Sequence, residues 1–490
     1  MSTAIVAFGA VSAFGEGAAA ASAGEPGAPA RIALARDAEL VTAGLARPFA
    51  ARARLEAGSP EGEDRAAALL ARAALLCADE LDRALPGWRG LRVGIAVGTS
   101  SGGLRSAEGV FSRLRRGGLA DAPVRELESV FYGAPLLHAA SRLGLPFAPA
   151  TVVLGACAAS ALAIGLGKRW LEDGRCDVVL AGGFDAVSVL VAAGFEALRA
   201  TTTELPPRPF RLARDGMALG EGAALLALVG TARAPAVVRA YVTGFGASSD
   251  GVHLTAPDRS GKGLARAADA ALDEAGRPRI DLVSAHATAT PFSDAAEARA
   301  IRHALGEETA KTVIVHPFKA QAGHTLGAAG ALESLVAVDA LERGVFPAAA
   351  GAGAMDPDTP MRLLALGERG APCTALKLSA AFGGANAALV ISKSPSTRPA
   401  RARRDVYVSR ALHVSGEPEA VSLAAEIGQP PERVARADVL TRLALASVGR
   451  LLRRLGSLAG AGIVVGEAFA TLETDAMFHA RIEDRGARMA

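Results

Sequence analysis

Short apolar runs alternate along this chain with longer Ala/Leu/Arg-rich segments whose apolar residues recur at helical spacing. TAIVAFGAV from Thr3, RAAALLARAALLCADELDRAL from Arg65, RVGIAVGTS from Arg92 and DVVLAGG from Asp177 make a first series. After Pro235 the pattern resumes with VVRAYVTGFGASSD, LARAADAALDEAG, DLVSAHAT, TVIVHP and LKLSAAFGG. Runs without polar alternation suit strands covered on both faces, and the helical segments between them provide the cover. The pattern predicts an α/β protein of βαβ units in two halves, residues 1–236 and 237–393.

Within the first half, TVVLGACAASALAIGLG (Thr151 to Gly167) lies in a stretch with no charge between Arg142 and Lys168. It is not read as a membrane span, because Pro146, Pro149 and Gly155 interrupt it and TVVL is a short β-branched segment. A buried strand, a tight turn at Gly155 and a buried helix from about Cys157 are expected instead. A thiol at a helix N-terminus meets the positive end of the helix dipole, which favours thiolate and lowers the thiol pKa. Cys157 is therefore a candidate nucleophile. In the second half, His286 follows a strand and His324 opens a small-residue helix, the places where loops deliver side chains to a cleft.

Composition excludes other classes. The 53 basic and 50 acidic residues are interspersed, for a net charge of +3, so no basic block marks a nucleic-acid footprint. Cys77, Cys157, Cys176 and Cys373 lie far apart, without CxxC pairs or metal-ligand spacing; neither a metal site nor a disulfide framework is expected. Free thiols suit a cytoplasmic protein. The N-terminal apolar stretch has no basic residue before Arg31 and is interrupted by Glu16, so it is not read as an export signal.

Residues 394–405 are rich in proline and arginine and read as a linker. The tail, 406–490, repeats the start of the chain. DVYVSRALHVSGEPEA parallels TAIVAFGAVSAFGEGA, RADVLTRLALASVGRLLRRLG parallels Glu63 to Leu85, and GIVVGEAFATLETDAMF parallels GIAVGTSSGGLRSAEGVF, matching Gly466 and Leu472 to Gly98 and Leu104. The parallel stops before a second cysteine, second histidines or a second FGG turn. The tail is expected to be a non-catalytic partial repeat, or a docking appendage, and either to lean on the main body or to be poorly ordered.

The order Cys157, His286, His324, with Lys319 five residues before the last and FGGAN near residue 382, resembles the β-ketoacyl-acyl-carrier-protein synthases of the thiolase superfamily. The likeness runs from about residue 3 to 393 and includes DVVLAGGFDAV, GFEAL, RPF...RDGMALGEGAA, ASSDGVHLTAPD, HATATPFSDAAEA, KAQAGHTLGAAG and AFGGANAA. It implies a five-layered α-β-α-β-α fold of two similar halves. It also implies decarboxylative condensation of an acyl-Cys157 with malonyl-acyl-carrier protein in fatty-acid or polyketide synthesis. It implies no bound cofactor, with substrates carried on the phosphopantetheine of an acyl-carrier protein. By the same resemblance, His286 and His324 donate to the developing enolate. The backbone amides of Cys157 and Phe382 form an oxyanion hole, Lys319 gives electrostatic support with Glu297 as its counterion, and Asp294 fixes the turn around His286. Thr288 and Thr290 bind the pantetheine arm, and Phe382 gates the acyl pocket. The family usually pairs as a homodimer or heterodimer through the strand before the cysteine helix.

The chain departs from the family pattern at HATAT, where Ala287 and Ala289 replace glycines, at KAQAGH, and at Arg211, where an acid usually stands. Methyl groups at 287 and 289 are expected to narrow the pantetheine tunnel. A thiolase is disfavoured, since it wants a second cysteine where His324 stands. The alternative of another class is a non-catalytic chain-length-factor-like partner of an active synthase.

Overall fold

The computed structural model describes residues 2–55, 64–118, 124–397, 412–455 and 472–487. The apolar runs form β1 (Thr3–Ser12), β2 (Val93–Thr99), β3 (Ala150–Leu154), β4 (Val178–Asp185), β5 (Gly222–Gly230), β6 (Ala240–Ser249), β7 (Leu282–Ser284), β8 (Ile314–His316), β9 (Thr374–Ala380) and β10 (Ala385–Ser392). The longer segments form α1 (Arg65–Ala84), α2 (Leu104–Arg116), α3 (Ala134–Leu143), α4 (Ala159–Glu172), α5 (Val189–Ala197), α6 (Lys262–Ala275), α7 (Pro291–Leu305) and α8 (Ala329–Arg343).

The strands are ordered β8-β7-β9-β10-β6-β1-β5-β4-β2-β3. One scheme occurs twice. In β1-β5-β4-β2-β3 the first two pairings are antiparallel and the last two parallel. In β6-β10-β9-β7-β8 the same holds, strand for strand. The two halves join where Thr3, Ala4 and Ile5 of β1 pair antiparallel with Val242, Tyr241 and Ala240 of β6.

Helices α4 and α8 each follow the third strand of their half and pack against each other between the sheets. Small residues permit the crossing: the Ala331 amide donates to Ser160 Oγ at 3.0 Å, and a Cβ on Gly330 would meet the Ala161 nitrogen at 2.8 Å. Helix α8 is buried from Ala329 through Val338 without a polar face, as a helix covered on all sides must be. Outside the first half, Leu69, Leu70 and Cys77 of α1 and Leu136 of α3 pack on Ile95, Leu180 and Leu225. Outside the second, α6 and α7 cover Val283, Leu376 and Val390. Helix, sheet, helix pair, sheet, helix is the expected five-layered order.

Strand β3 differs from expectation. The sequence predicts it buried, but among the described residues it pairs only with β2, at the sheet edge, and Leu154 is 44% exposed. Apolar composition marked it as a strand, whereas its exposure depends on what lies beyond its free edge.

By compactness the chain divides into two units, Met1–Arg401 with Glu473–Ala490, and Ala402–Leu472. In the second, helices Ala420–Ile427, Pro431–Ala435 and α9 (Val439–Leu455) gather Leu423, Ala424, Val434 and Ala446 into a small core. Helix α9 falls where the repeat calls for one. The repeat's strands, DVYV and GIVVGEAFA, lie outside the described residues. Helix α10 (Leu472–Arg485) begins at the leucine matched to Leu104, where α2 begins, and its later turns pack on α2. The rings of His479 and Phe111 lie 5.8 Å apart, and Arg115 pairs with Glu483 and Asp484.

Candidate active site

Cys157 is presented by a sharp strand-to-helix connection. Ala156 takes φ 44°, a single 3-10 turn Ala156–Ala158 follows, and α4 starts at Ala159. Gly98 of β2 makes room, since a Cβ there would lie 2.2 Å from the carbonyl carbon of Ala159. The backbone amides of Cys157 and Phe382 lie close enough to the Cys157 thiol to lower its pKa. Phe382 is carried by the turn Phe382–Gly384, which is anchored by Gly383 N–H donating to the Leu254 carbonyl at 2.6 Å. The helix-start argument for a lowered pKa does not hold here. Burial pushes the thiol up to about 11, outweighing Lys319 and the two amides, because desolvation penalises the thiolate.

His324 is fixed through its backbone. Its N–H donates to the Ala218 carbonyl at 2.8 Å and its carbonyl accepts from Gly220 at 2.9 Å. Gly323 precedes it at φ 73°, where a Cβ would stand 2.2 Å from the Leu219 oxygen, so glycine is required on both counts. The Leu326 amide donates to His324 Nδ1 at 3.1 Å. The neutral ring therefore carries its proton on Nε2, which is buried with no hydrogen-bond partner among the described residues. His286 enters from the end of β7, its ring 5.5 Å from that of His324 and nearly perpendicular to it, at 85°. Burial first, then the positive charge of Lys319, holds both imidazoles well below the ordinary histidine pKa. They are neutral N–H donors at physiological pH.

Behind them lies a buried charge cluster. Lys319 Nζ is 2.6 Å from Glu333 Oε1, and Lys377 Nζ is 2.6 Å from Glu333 Oε2. The expected Lys319–Glu297 pair is thus corrected: Glu333 of α8 is the counterion. Glu297 instead accepts the backbone N–H groups of His286 at 2.6 Å and Ala287 at 2.7 Å, clamping the histidine turn, although it still feels both lysines. Asp294 fixes the same turn as expected, accepting from Ala289 at 3.0 Å and Phe210 at 2.7 Å. Burial raises its pKa to about 7.

Cys157, His286, His324, Thr288, Thr290 and Phe382 line one cavity of about 420 Å³. The two threonine hydroxyls are 3.0 Å apart, and Phe382 packs against Phe195 with ring centroids 5.5 Å apart. Sequence reasoning missed Phe195, Met217 and Phe292 in the wall. It also missed Glu333, Lys377 and Asp185, although each is a lone charge in an apolar run (GALESL, TALKLSA, AGGFDAV) and so carries the signature of a buried, partnered group. Asp185 accepts from Thr99 Oγ1, Ser100 N–H, Ser101 N–H and Oγ, and Gly327 N–H, tying β2 to the turn after His324. The methyls of Ala287 and Ala289 do not narrow the cavity: both are buried, 1% and 0% exposed, and neither is among its walls. Their departure from glycine is felt in the backbone, at φ 44° and 59°. His253 serves a turn, Nδ1 accepting from Thr255 and Ala256 at 3.1 Å each.

Comparison with known proteins agrees with this geometry. The Beta-ketoacyl synthase N-terminal domain matches residues 54–234 and the C-terminal domain residues 239–352. The tetracenomycin polyketide synthase ketoacyl synthase alpha subunit of Streptomyces glaucescens is 32% identical over 324 residues, 63% of this chain and 76% of that protein. A 3-oxoacyl-[acyl-carrier-protein] synthase 2 of Vibrio harveyi is 32% identical over 325 residues, 62% of this chain and 75% of its own. Among solved structures, the ishigamide ketosynthase/chain length factor superposes with a TM-score of 0.72 at 30% identity, covering 80% of this chain and 99% of its own. A beta-ketoacyl synthase from Burkholderia phymatum gives 0.71 at 27% identity, covering 80% and 99%. No described helix is long and apolar enough to cross a membrane. Duplicated topology, matched domains and relatives covered over three quarters of their own length converge: this chain belongs to the β-ketoacyl synthase family, the acyl-transferring condensing enzymes of fatty-acid and polyketide synthesis built on the thiolase fold.

Proposed function

We propose that the cavity carries out a two-stage condensation on thioesters borne by the phosphopantetheine of an acyl-carrier protein. Cys157 Sγ attacks the acyl thioester carbonyl, the pantetheine thiol leaves with the proton, and the oxyanion formed on the way is met by the amides of Cys157 and Phe382. Malonyl thioester then binds. Loss of carbon dioxide puts negative charge on its thioester oxygen, toward which His324 Nε2–H and the His286 ring donate; the carbanion attacks the acyl-cysteine and Cys157 takes back a proton. One such donor is typically worth about 10²- to 10³-fold in rate. The hydroxyls of Thr288 and Thr290 hold the pantetheine arm, Phe382 gates the acyl end, and Lys319 supports the developing anion.

The observation that carries this reading is that a thiol and two imidazoles from residues 157, 286 and 324 line one buried cavity. At the mouth, Phe292 is 56% exposed beneath the Arg259 guanidinium, an apolar and basic rim suited to an acidic carrier. The open edge of β3 is the surface for pairing with a second ketosynthase-like chain. Two matched structures are complexes or pairs named for a ketosynthase and a chain length factor, which favours a heterodimer as readily as a homodimer. The tail is a partial, non-catalytic ketosynthase-like repeat. Incubation with radiolabelled acyl-carrier protein and malonyl-carrier protein tests the activity: β-ketoacyl product from the native chain and none from Cys157→Ala is expected. An inert native chain that activates a partner would replace this reading with that of a chain-length partner.

A further inference from the structure

The condensation just described leaves Lys377 without a task. Its side chain is 0% exposed on β9, and its Nζ sits 2.6 Å from Glu333 Oε2 while also donating to the Leu378 carbonyl. Stability does not account for it, because a buried ion pair replaced by apolar residues is often neutral or better. Charge balance does. Glu333 faces an ammonium at each oxygen, and both oxygens of Glu297 receive backbone N–H groups, the geometry of two carboxylates. With Lys319 alone, one negative charge would stand uncompensated behind the two imidazoles, where an enolate has to form.

We propose that Lys377 is a positioning residue for the condensation: it supplies the second cation that balances Glu333 and Glu297 together, so that both imidazoles stay neutral donors and the cavity accepts an anionic transition state. The charged and titratable groups that interact with this cluster are Lys319 from the short helix Lys319–Ala322, Glu333 from α8, Glu297 and Asp294 from α7, His286, His324 and Cys157 around the cavity, and, through Cys157, Asp185 at the end of β4. Lys319 and Lys377 are the lysines that hold both histidines down after burial.

The proposal rests on the condensation reading, but two of its readouts do not need turnover. In the full chain with labelled histidine, Lys377→Met is expected to raise the NMR titrations of His286 and His324 by about one pH unit. Glu333→Gln, which removes an anion instead, is expected to speed iodoacetamide alkylation of Cys157 about tenfold at pH 8. The Lys377→Met, Glu333→Gln double variant should return the histidine titrations toward the native values, which a merely structural role would not do. Where the native chain turns over, the acid limb of malonyl-thioester decarboxylation should move with the histidines. Unchanged histidines in Lys377→Met alongside shifted ones in Lys319→Met, or no return in the double variant, overturns the proposal. If Lys377→Met does not fold, unaltered alkylation in Glu333→Gln overturns it alone. A native chain without turnover but with these shifts overturns the condensation reading and leaves the charge balance standing.

Discussion

At Cys157 two fields oppose each other: the turn into α4, two amides and Lys319 favour thiolate, while burial favours thiol and prevails. With a pKa of about 11, the group is protonated at neutral pH. Its alkylation by iodoacetamide should therefore rise about tenfold per pH unit from 7 to 10 without a plateau, as thiolate accumulates; a plateau below pH 8 would show that the amides and Lys319 win. Ala287 and Ala289 make a second case. Their methyls are buried away from the cavity, so Ala287→Gly and Ala289→Gly should leave kcat/KM for long and short acyl carriers within about twofold. Relief of positive φ and loss of a buried methyl should nearly cancel, to within about 1 kcal/mol by thermal unfolding. The nucleophile and histidines were legible because each sits in a short motif at a strand end or helix start. Glu333 was not assigned to Lys319, because several carboxylates follow that lysine in the chain and only the packing of α8 against the short helix Lys319–Ala322 decides which one it meets.

Elements owe their placement to a few buried junctions. Asp185 gathers five donors from the end of β2, the loop after it and the turn after His324, so Asp185→Ala strands polar groups in the interior. A loss of about 3 kcal/mol in denaturant unfolding is expected, with a larger fractional fall in activity than in folded protein, since the turns beside Cys157 and His324 lose their common anchor. The strands and helices themselves were legible from periodicity. What periodicity does not carry is which strand ends at an edge: β3 has the composition of a covered strand and lies open along one side.

For the whole molecule, the duplicated topology is complete within residues 2–397, and α10 is an addition laid on α2. Truncation after Thr397 should leave a folded, condensing body, less stable by about 2 kcal/mol as Phe111 loses its cover, read by thermal unfolding and the carrier-protein assay together. Loss of all folded protein would make the tail part of the fold. The amino-acid sequence determined the alternation of strands and helices, the doubled plan of the main body and the residues able to do the chemistry, because these depend on neighbours within a few positions along the chain. The tertiary structure alone decided that Glu333 rather than Glu297 pairs with Lys319, that the thiol rises rather than falls, and that Lys377 joins the cluster. Desolvation and Coulomb attraction act over a few ångströms of space, and the folded packing sets those distances.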